Sequence, residues 1–171
     1  MRLLNRTLEL VLLPILATIV FVQEIVLGFL PNITLTPLLL MLYTRLLGFG
    51  RTVIILILYI TFDILYMPVN PIFIPFLFLG WFVIPLLMRT AFKECHSVYF
   101  LSLFAFCHGF LYGWILLPAG LIVTELPFWA YLVQDLPFEI IMAISSSSAV
   151  FVAYEPLYRR LKPLFDQLLS G

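Results

Sequence analysis

Four carboxylates lie within or beside apolar stretches of this 171-residue chain: Glu24, Asp63, Asp135 and Glu139. A carboxylate at membrane depth costs several kcal/mol unless it is paired or faces water, so each one is a candidate functional residue. Carboxylate oxygens accept hydrogen bonds from amides, amines and cationic rings. We expect the three chain segments that carry these residues to converge on one outward-facing cavity.

The segments that position these carboxylates are predicted to be membrane helices. The chain is 64% hydrophobic and 11% charged, whereas soluble domains are about a quarter charged. Proline, glycine and polar residues divide it into six spans, at residues 10–30, 33–47, 52–67, 71–88, 97–118 and 136–154. The predicted fold is an all-α membrane protein, a bundle of six transmembrane helices in a single integral membrane domain, residues 1–171.

The basic residues predict the orientation of this bundle. All nine Lys and Arg residues fall on one side of the six-span arrangement. Basic residues concentrate in cytoplasmic loops, which places both termini in the cytoplasm. The opposite side has no basic residue, so a phosphate- or carboxylate-rich solute would find no counter-charge there. We therefore expect a neutral or cationic, nitrogen-rich ligand.

Several polar and aromatic residues near the outer ends of the spans have a structural role as an alternative to ligand binding. Asp135 or Leu136 can be the N-cap of the sixth helix, with Pro137 in its first turn, and this role is compatible with ligand binding. Trp129 is typical of the aromatic belt at a membrane interface. Asn70, before Pro71, is typical of a turn.

Two further polar features of the apolar chain favour structural roles. Ser145 to Ser148 cover every side of a helix, so they cannot all face one ligand. Small side chains let helices approach closely, so we expect these serines to form a packing surface. His108 favours a hydrogen bond to a neighbouring helix over a role as a proton relay.

Enzyme signatures are missing from the sequence. It has no HExxH, no GxSxG and no Walker loop. At this length it has no inverted repeat of the size usual in secondary transporters. We expect a protein that is not an enzyme, has no metal, cofactor or nucleic-acid partner, and draws any transport energy from other subunits.

Three stretches resemble the substrate-binding S components of energy-coupling factor (ECF) vitamin transporters. They are QEIVLGFLPNITL at residues 23–35, YITFDILYMPVNPIFIPFLFLGW at 59–81, and DLPFEIIMAISSSSAVFVAYEPLYRRL at 135–161. The size, the six spans and the cytoplasmic termini are similar over the whole chain. The resemblance implies a subunit of the bacterial plasma membrane, surrounded by lipid, that captures a vitamin at its outer end. It also implies a membrane scaffold subunit and two cytoplasmic ATPases as partners.

The resemblance also implies a set of substrate-binding residues. In the family, the first outer loop and the outer parts of later helices hold the ligand. Carried onto this sequence, the set is Glu24, Asn32, Asp63, Tyr66, Asn70, Trp129, Asp135 and Glu139. With the charge argument, cobalamin is the first expected ligand, and an amine-bearing queuosine precursor is the second.

A structural protein is the alternative function. MreD-like proteins of the cell-shape and cell-wall machinery have similar length and span count. They also show Pro-Asn after the first span, as at Asn32 here, and an Asp late in the third, as at Asp63. Such a protein would need no ligand cavity, whereas Asp135, Glu139 and the aromatic residues near them favour the transporter subunit.

Overall fold

The structure of this chain, a computed structural model, describes the backbone of residues 2–170 and the side chains of residues 9–168. This part of the chain is all-helical and contains no strand. Its six helices are α1 (Arg2–Leu27), α2 (Thr36–Leu47), α3 (Phe49–Tyr66), α4 (Phe73–Arg89), α5 (Val98–Thr124) and α6 (Phe128–Ser170). The predicted all-α class is confirmed.

Four of these helices contain stretches that are long and apolar enough to cross a membrane: Glu9–Leu27, Phe49–Tyr66, Val98–Thr124 and Phe128–Leu168. Helices α2 and α4 are apolar but shorter. At 1.5 Å per residue, α2 rises only about 18 Å, against roughly 30 Å for a bilayer core. Nine of the 12 residues of α2 are buried, so this short helix is enclosed by the other helices.

The boundaries predicted around the sixth span are wrong. Helix α5 continues past Pro118 to Thr124, and α6 begins at Phe128, not at Leu136. The predicted outer loop at 119–134 is therefore a turn of three residues. Prolines are tolerated inside membrane helices because neighbouring groups satisfy the freed backbone. Glu125 closes α5 with a left-handed backbone, φ 55°, and its N–H donates to the Leu121 carbonyl.

The capping role for Asp135 is also wrong. Asp135 lies inside α6, beyond its first turn, where it cannot be an N-cap. Helix capping therefore does not explain the carboxylate at position 135.

Helices α5 and α6 pack closely along a seam of small residues. A Cβ at Gly109 would lie 2.6 Å from the backbone N and Cα of Ala143, so the two helices approach to backbone contact. Further along the seam, the Ser102 hydroxyl lies 2.8 Å from the Ser147 carbonyl, and Ser146 is fully buried. The predicted packing role of the serines is confirmed at these two positions.

The basic residues whose side chains are described lie at the end of the bundle where α2 and α4 end, or in the last part of α6. Arg45, near the end of α2, donates to the carbonyls of Phe92, Lys93 and Cys95 in the α4–α5 connection. This guanidinium ties α2 to that connection. Nearby, Arg51 in α3 forms an ion pair of 2.5 Å with Glu9 in α1.

The α5–α6 seam leads to a prediction about stability. Replacing Gly109→Ala should lower the free energy of unfolding by about 1–3 kcal/mol, because the added methyl overlaps the Ala143 backbone and the helices must separate. Gly50→Ala is the matched control, since a Cβ there meets nothing within 4 Å. Thermal unfolding of both variants in lipid nanodiscs measures the difference. Equal midpoints for the two variants would contradict this packing.

Candidate ligand-binding site

Three adjoining cavities lie at the end of the bundle where α1 and α3 end. The central cavity, about 330 Å³, is bounded by the end of α1, the segment after it, Trp81, Tyr112 and Met142. The Asp63 cavity, about 440 Å³, lies between α1 and α3. The Glu139 cavity, about 290 Å³, lies between α5 and α6. Each volume is near or within the range of small-molecule sites.

Shared walls join the three cavities into one row. Glu24 and Gly28 line both the central and the Asp63 cavity. Asn32, Tyr112 and Met142 line both the central and the Glu139 cavity. The central cavity therefore lies between the other two.

The Asp63 cavity is built on a hydrogen bond between helices. The buried Tyr59 hydroxyl donates to Glu24 Oε2 at 2.6 Å, which orients this carboxylate between α1 and α3. Asp63 lies one turn further along α3 and lines the same cavity. Tyr66 closes it, with its ring edge-on to Phe21 at 5.6 Å.

The Glu139 cavity is lined by one face of α6. Tyr131, Asp135 and Glu139 follow at intervals of four residues and all line it, as helical periodicity requires. Two glycines of α5 make room for them. A Cβ at Gly113 would lie 2.8 Å from Glu139 Cγ, and one at Gly120 would lie 2.6 Å from Tyr131 Cε2.

The segment between α1 and α2 is held by Gln23. Its amide nitrogen donates to Thr36 Oγ1 at 2.7 Å, and its amide oxygen accepts from the Leu35 N–H at 2.9 Å. The Thr34 hydroxyl oxygen accepts from the Thr36 N–H at 3.1 Å. These bonds satisfy backbone groups of a non-helical segment that lies beside the cavities.

Asn32, in the same segment, lines both the central and the Glu139 cavity. Its backbone is left-handed, with φ 58°, a conformation that Asn tolerates better than most residues. The Ser145 hydroxyl contacts its carbonyl at 3.4 Å. Ser145 lies about 26 Å along α6 from Phe128 at 1.5 Å per residue, so the segment reaches well into the bundle.

His108 packs against Trp81, which lines the central cavity. It is fully buried, and its Nε2 lies 2.9 Å from the Gly80 carbonyl of α4, which can only accept a hydrogen bond. Its ring stacks on Trp81 at 5.7 Å. The predicted bond from His108 to a neighbouring helix is confirmed.

Six of the eight sequence-predicted site residues line this row of cavities. They are Glu24, Asn32, Asp63, Tyr66, Asp135 and Glu139. The structure does not bring the other two into the row. Asn70 Oδ1 accepts from the Ile72 N–H at 3.1 Å, a turn bond, and Trp129 is 73% exposed beside Phe128.

Sequence reasoning missed several residues that build the site. Tyr112 and Gly113 lie on α5, which has no carboxylate to mark a site. Tyr59 lies four residues before Asp63, so its position on the face of Asp63 was a signal that went unused. For Tyr131, a signal was present: its spacing of four from Asp135 and of eight from Glu139 places it on their face of α6. Gln23 was visible as a polar residue at the end of the first span, but its partners lie across a turn.

The charge around the cavities has one sign. Of the side chains that the structure describes, four carboxylates line them, and no Lys or Arg does. The ion pairs among the described side chains use Glu9, Glu94 and Glu155 instead. Such a site can accept hydrogen bonds and stabilise positive charge.

No protein-family model, curated protein or solved structure matches this chain.

The bonds of Gln23 lead to a prediction about the segment at 28–35. Gln23→Ala removes the acceptor of the Leu35 N–H, and a lost hydrogen bond is worth about 1 kcal/mol. Hydrogen exchange of this segment should therefore accelerate about fivefold. Gln134→Ala is the control, because Gln134 is exposed and lies outside the three cavities. Unchanged exchange in Gln23→Ala would show that this side chain does not hold the segment.

Proposed function

We propose that this protein is the substrate-binding S component of an ECF-type vitamin transporter. In this role it captures a neutral or cationic, nitrogen-rich molecule at the outer side of the bacterial plasma membrane. The observation that carries the proposal is the connected row of cavities. Among the described residues it is lined by carboxylates, the Asn32 amide and aromatic rings and by no basic side chain. A purely structural membrane protein, such as an MreD-like one, needs no such row.

The size of the cavities favours the smaller expected ligand. The three volumes lie between about 290 and 440 Å³, and sites of 300–1,000 Å³ suit drug-sized molecules. An amine-bearing deazapurine of the queuosine-precursor type fits this range. Cobalamin, with its corrin ring and nucleotide tail, would require the cavities to merge.

The proposed topology has six spans and both termini in the cytoplasm. The support is the separation of charge between the two ends of the bundle. Carboxylates line the cavities at one end, whereas Arg45, Arg51 and Lys93 lie at or beside the connections of the opposite end. Basic residues favour the cytoplasmic side, where a scaffold subunit and two ATPases would dock.

Cysteine labelling tests this topology. In a variant without native cysteines, Glu125→Cys should react with a membrane-impermeant maleimide on intact cells, because Glu125 lies exposed in the α5–α6 turn. Lys93→Cys, exposed in the α4–α5 connection, should react only after permeabilisation. The reverse pattern would refute the proposed orientation.

Ligand binding tests the transport function directly. Calorimetry of the protein in nanodiscs against a vitamin panel, including cobalamin and amine-bearing deazapurines, should find a ligand with Kd below about 10 µM. This Kd corresponds to a binding free energy of about −7 kcal/mol. Asp135→Asn should weaken that binding at least fivefold, and Glu125→Gln should leave it unchanged. No such ligand, with co-purification of cell-wall synthesis proteins instead of a scaffold and ATPases, would refute the S-component role.

A further inference from the structure

The carboxylates of the site form two pairs at the two ends of the row. Glu24 from α1 and Asp63 from α3 line the Asp63 cavity. Asp135 and Glu139 line the Glu139 cavity, on one face of α6. The central cavity, which neither Asp63 nor Glu139 lines, separates the pairs. The site therefore has two acceptor-rich ends.

Neither pair is neutralised by the protein. No ion pair of the described side chains includes any of these four carboxylates. Glu139 is only 6% exposed, and it lines the Glu139 cavity. A carboxylate offers about four acceptor positions, so a buried carboxylate beside a cavity can accept hydrogen bonds from a ligand there. Like charges four residues apart on a helix also repel.

The middle of the row shares Glu24 with one end, but most of its remaining wall is apolar or aromatic. Trp81 and Tyr112 line the central cavity with their ring centroids 4.4 Å apart, and Leu27 and Met142 add apolar surface. The π faces of such rings pack against apolar or aromatic groups. An occupant of the whole row would place its apolar part here.

A metal ion does not fit this arrangement. Hard cations such as Ca²⁺ require six or more oxygen ligands around one point. The described residues contain no group of three or more His, Cys, Asp or Glu side chains that could hold a metal ion. Two separated pairs match two separate donor groups better than one central charge.

We infer that the site selects an elongated molecule with a cationic amine, amidine or guanidine group at each end and an apolar or aromatic middle. This inference rests on the proposed function in one respect, which is that the same cavities hold the ligand. One cationic end binds between Glu24 and Asp63. The other end binds between Asp135 and Glu139, with the middle against Trp81 and Tyr112.

A series of diamines tests this selection. The probes are linear diamines from 1,4-diaminobutane to 1,10-diaminodecane, and p-xylylenediamine, each compared with the amino alcohol of the same skeleton. Calorimetry in nanodiscs should show one optimal length, with the diamine binding at least tenfold more tightly than its amino alcohol. Equal affinities of diamine and amino alcohol at every length would overturn the inference.

Paired variants locate the two ends of the ligand. Glu24→Gln with Asp63→Asn should reduce the best diamine to the affinity of its amino alcohol, and so should Asp135→Asn with Glu139→Gln. Glu125→Gln, which removes a carboxylate outside the cavities at the same end, should change nothing. If a double variant does not fold, Asp63→Asn and Asp135→Asn alone should each weaken diamine binding at least threefold. Diamine binding that only one pair affects would overturn the two-ended site.

The outcomes separate this inference from the proposed function. A panel vitamin that binds tightly and is not displaced by any diamine would overturn the two-ended selection and leave the S-component role intact. Length-dependent diamine binding without a scaffold partner or a vitamin ligand would support the two-ended site and refute the S-component role.

Discussion

The structure depends on how backbone polar groups are satisfied where the chain between α1 and α2 enters the bundle. Non-helical backbone is tolerated at membrane depth only where protein or a water-filled cavity surrounds it. Gln23 and Thr34 supply the partners for the Leu35 and Thr36 N–H groups. The segment after α1 lines the central cavity, so these bonds also hold one of its walls in place.

The second constraint is the close approach of α5 and α6. Gly109 brings the backbones into contact, and this distance decides which side chains can lie between the helices further along. Gly113 then leaves room for Glu139, and Gly120 leaves room for Tyr131. The same small residues that stabilise the helix pair therefore also position a carboxylate and a tyrosine at the cavity. In lipid, such packing replaces the hydrophobic driving force between helices.

Charge separation connects the fold to its proposed use. At one end, Arg45 donates hydrogen bonds to a connection between helices, and Arg51 forms an ion pair. The carboxylates at the other end have no such partners. A ligand that supplies hydrogen-bond donors or positive charge lowers the cost of keeping these groups in an apolar surround. Binding energy would thus come from charges that the protein leaves uncompensated.

The sequence alone determined the helical membrane class, because composition and apolar runs depend on residue types and not on contacts. It also determined the charge asymmetry and the four carboxylates that line the cavities, since carboxylates are rare in apolar helices. It could not place the start of α6, because Pro118 and Pro137 read as helix ends although helices in lipid accommodate them. Only the tertiary structure decided which apolar-looking faces meet. Tyr59 orients Glu24, and Gly113 accommodates Glu139, through contacts between residues more than 20 positions apart, which no local pattern records.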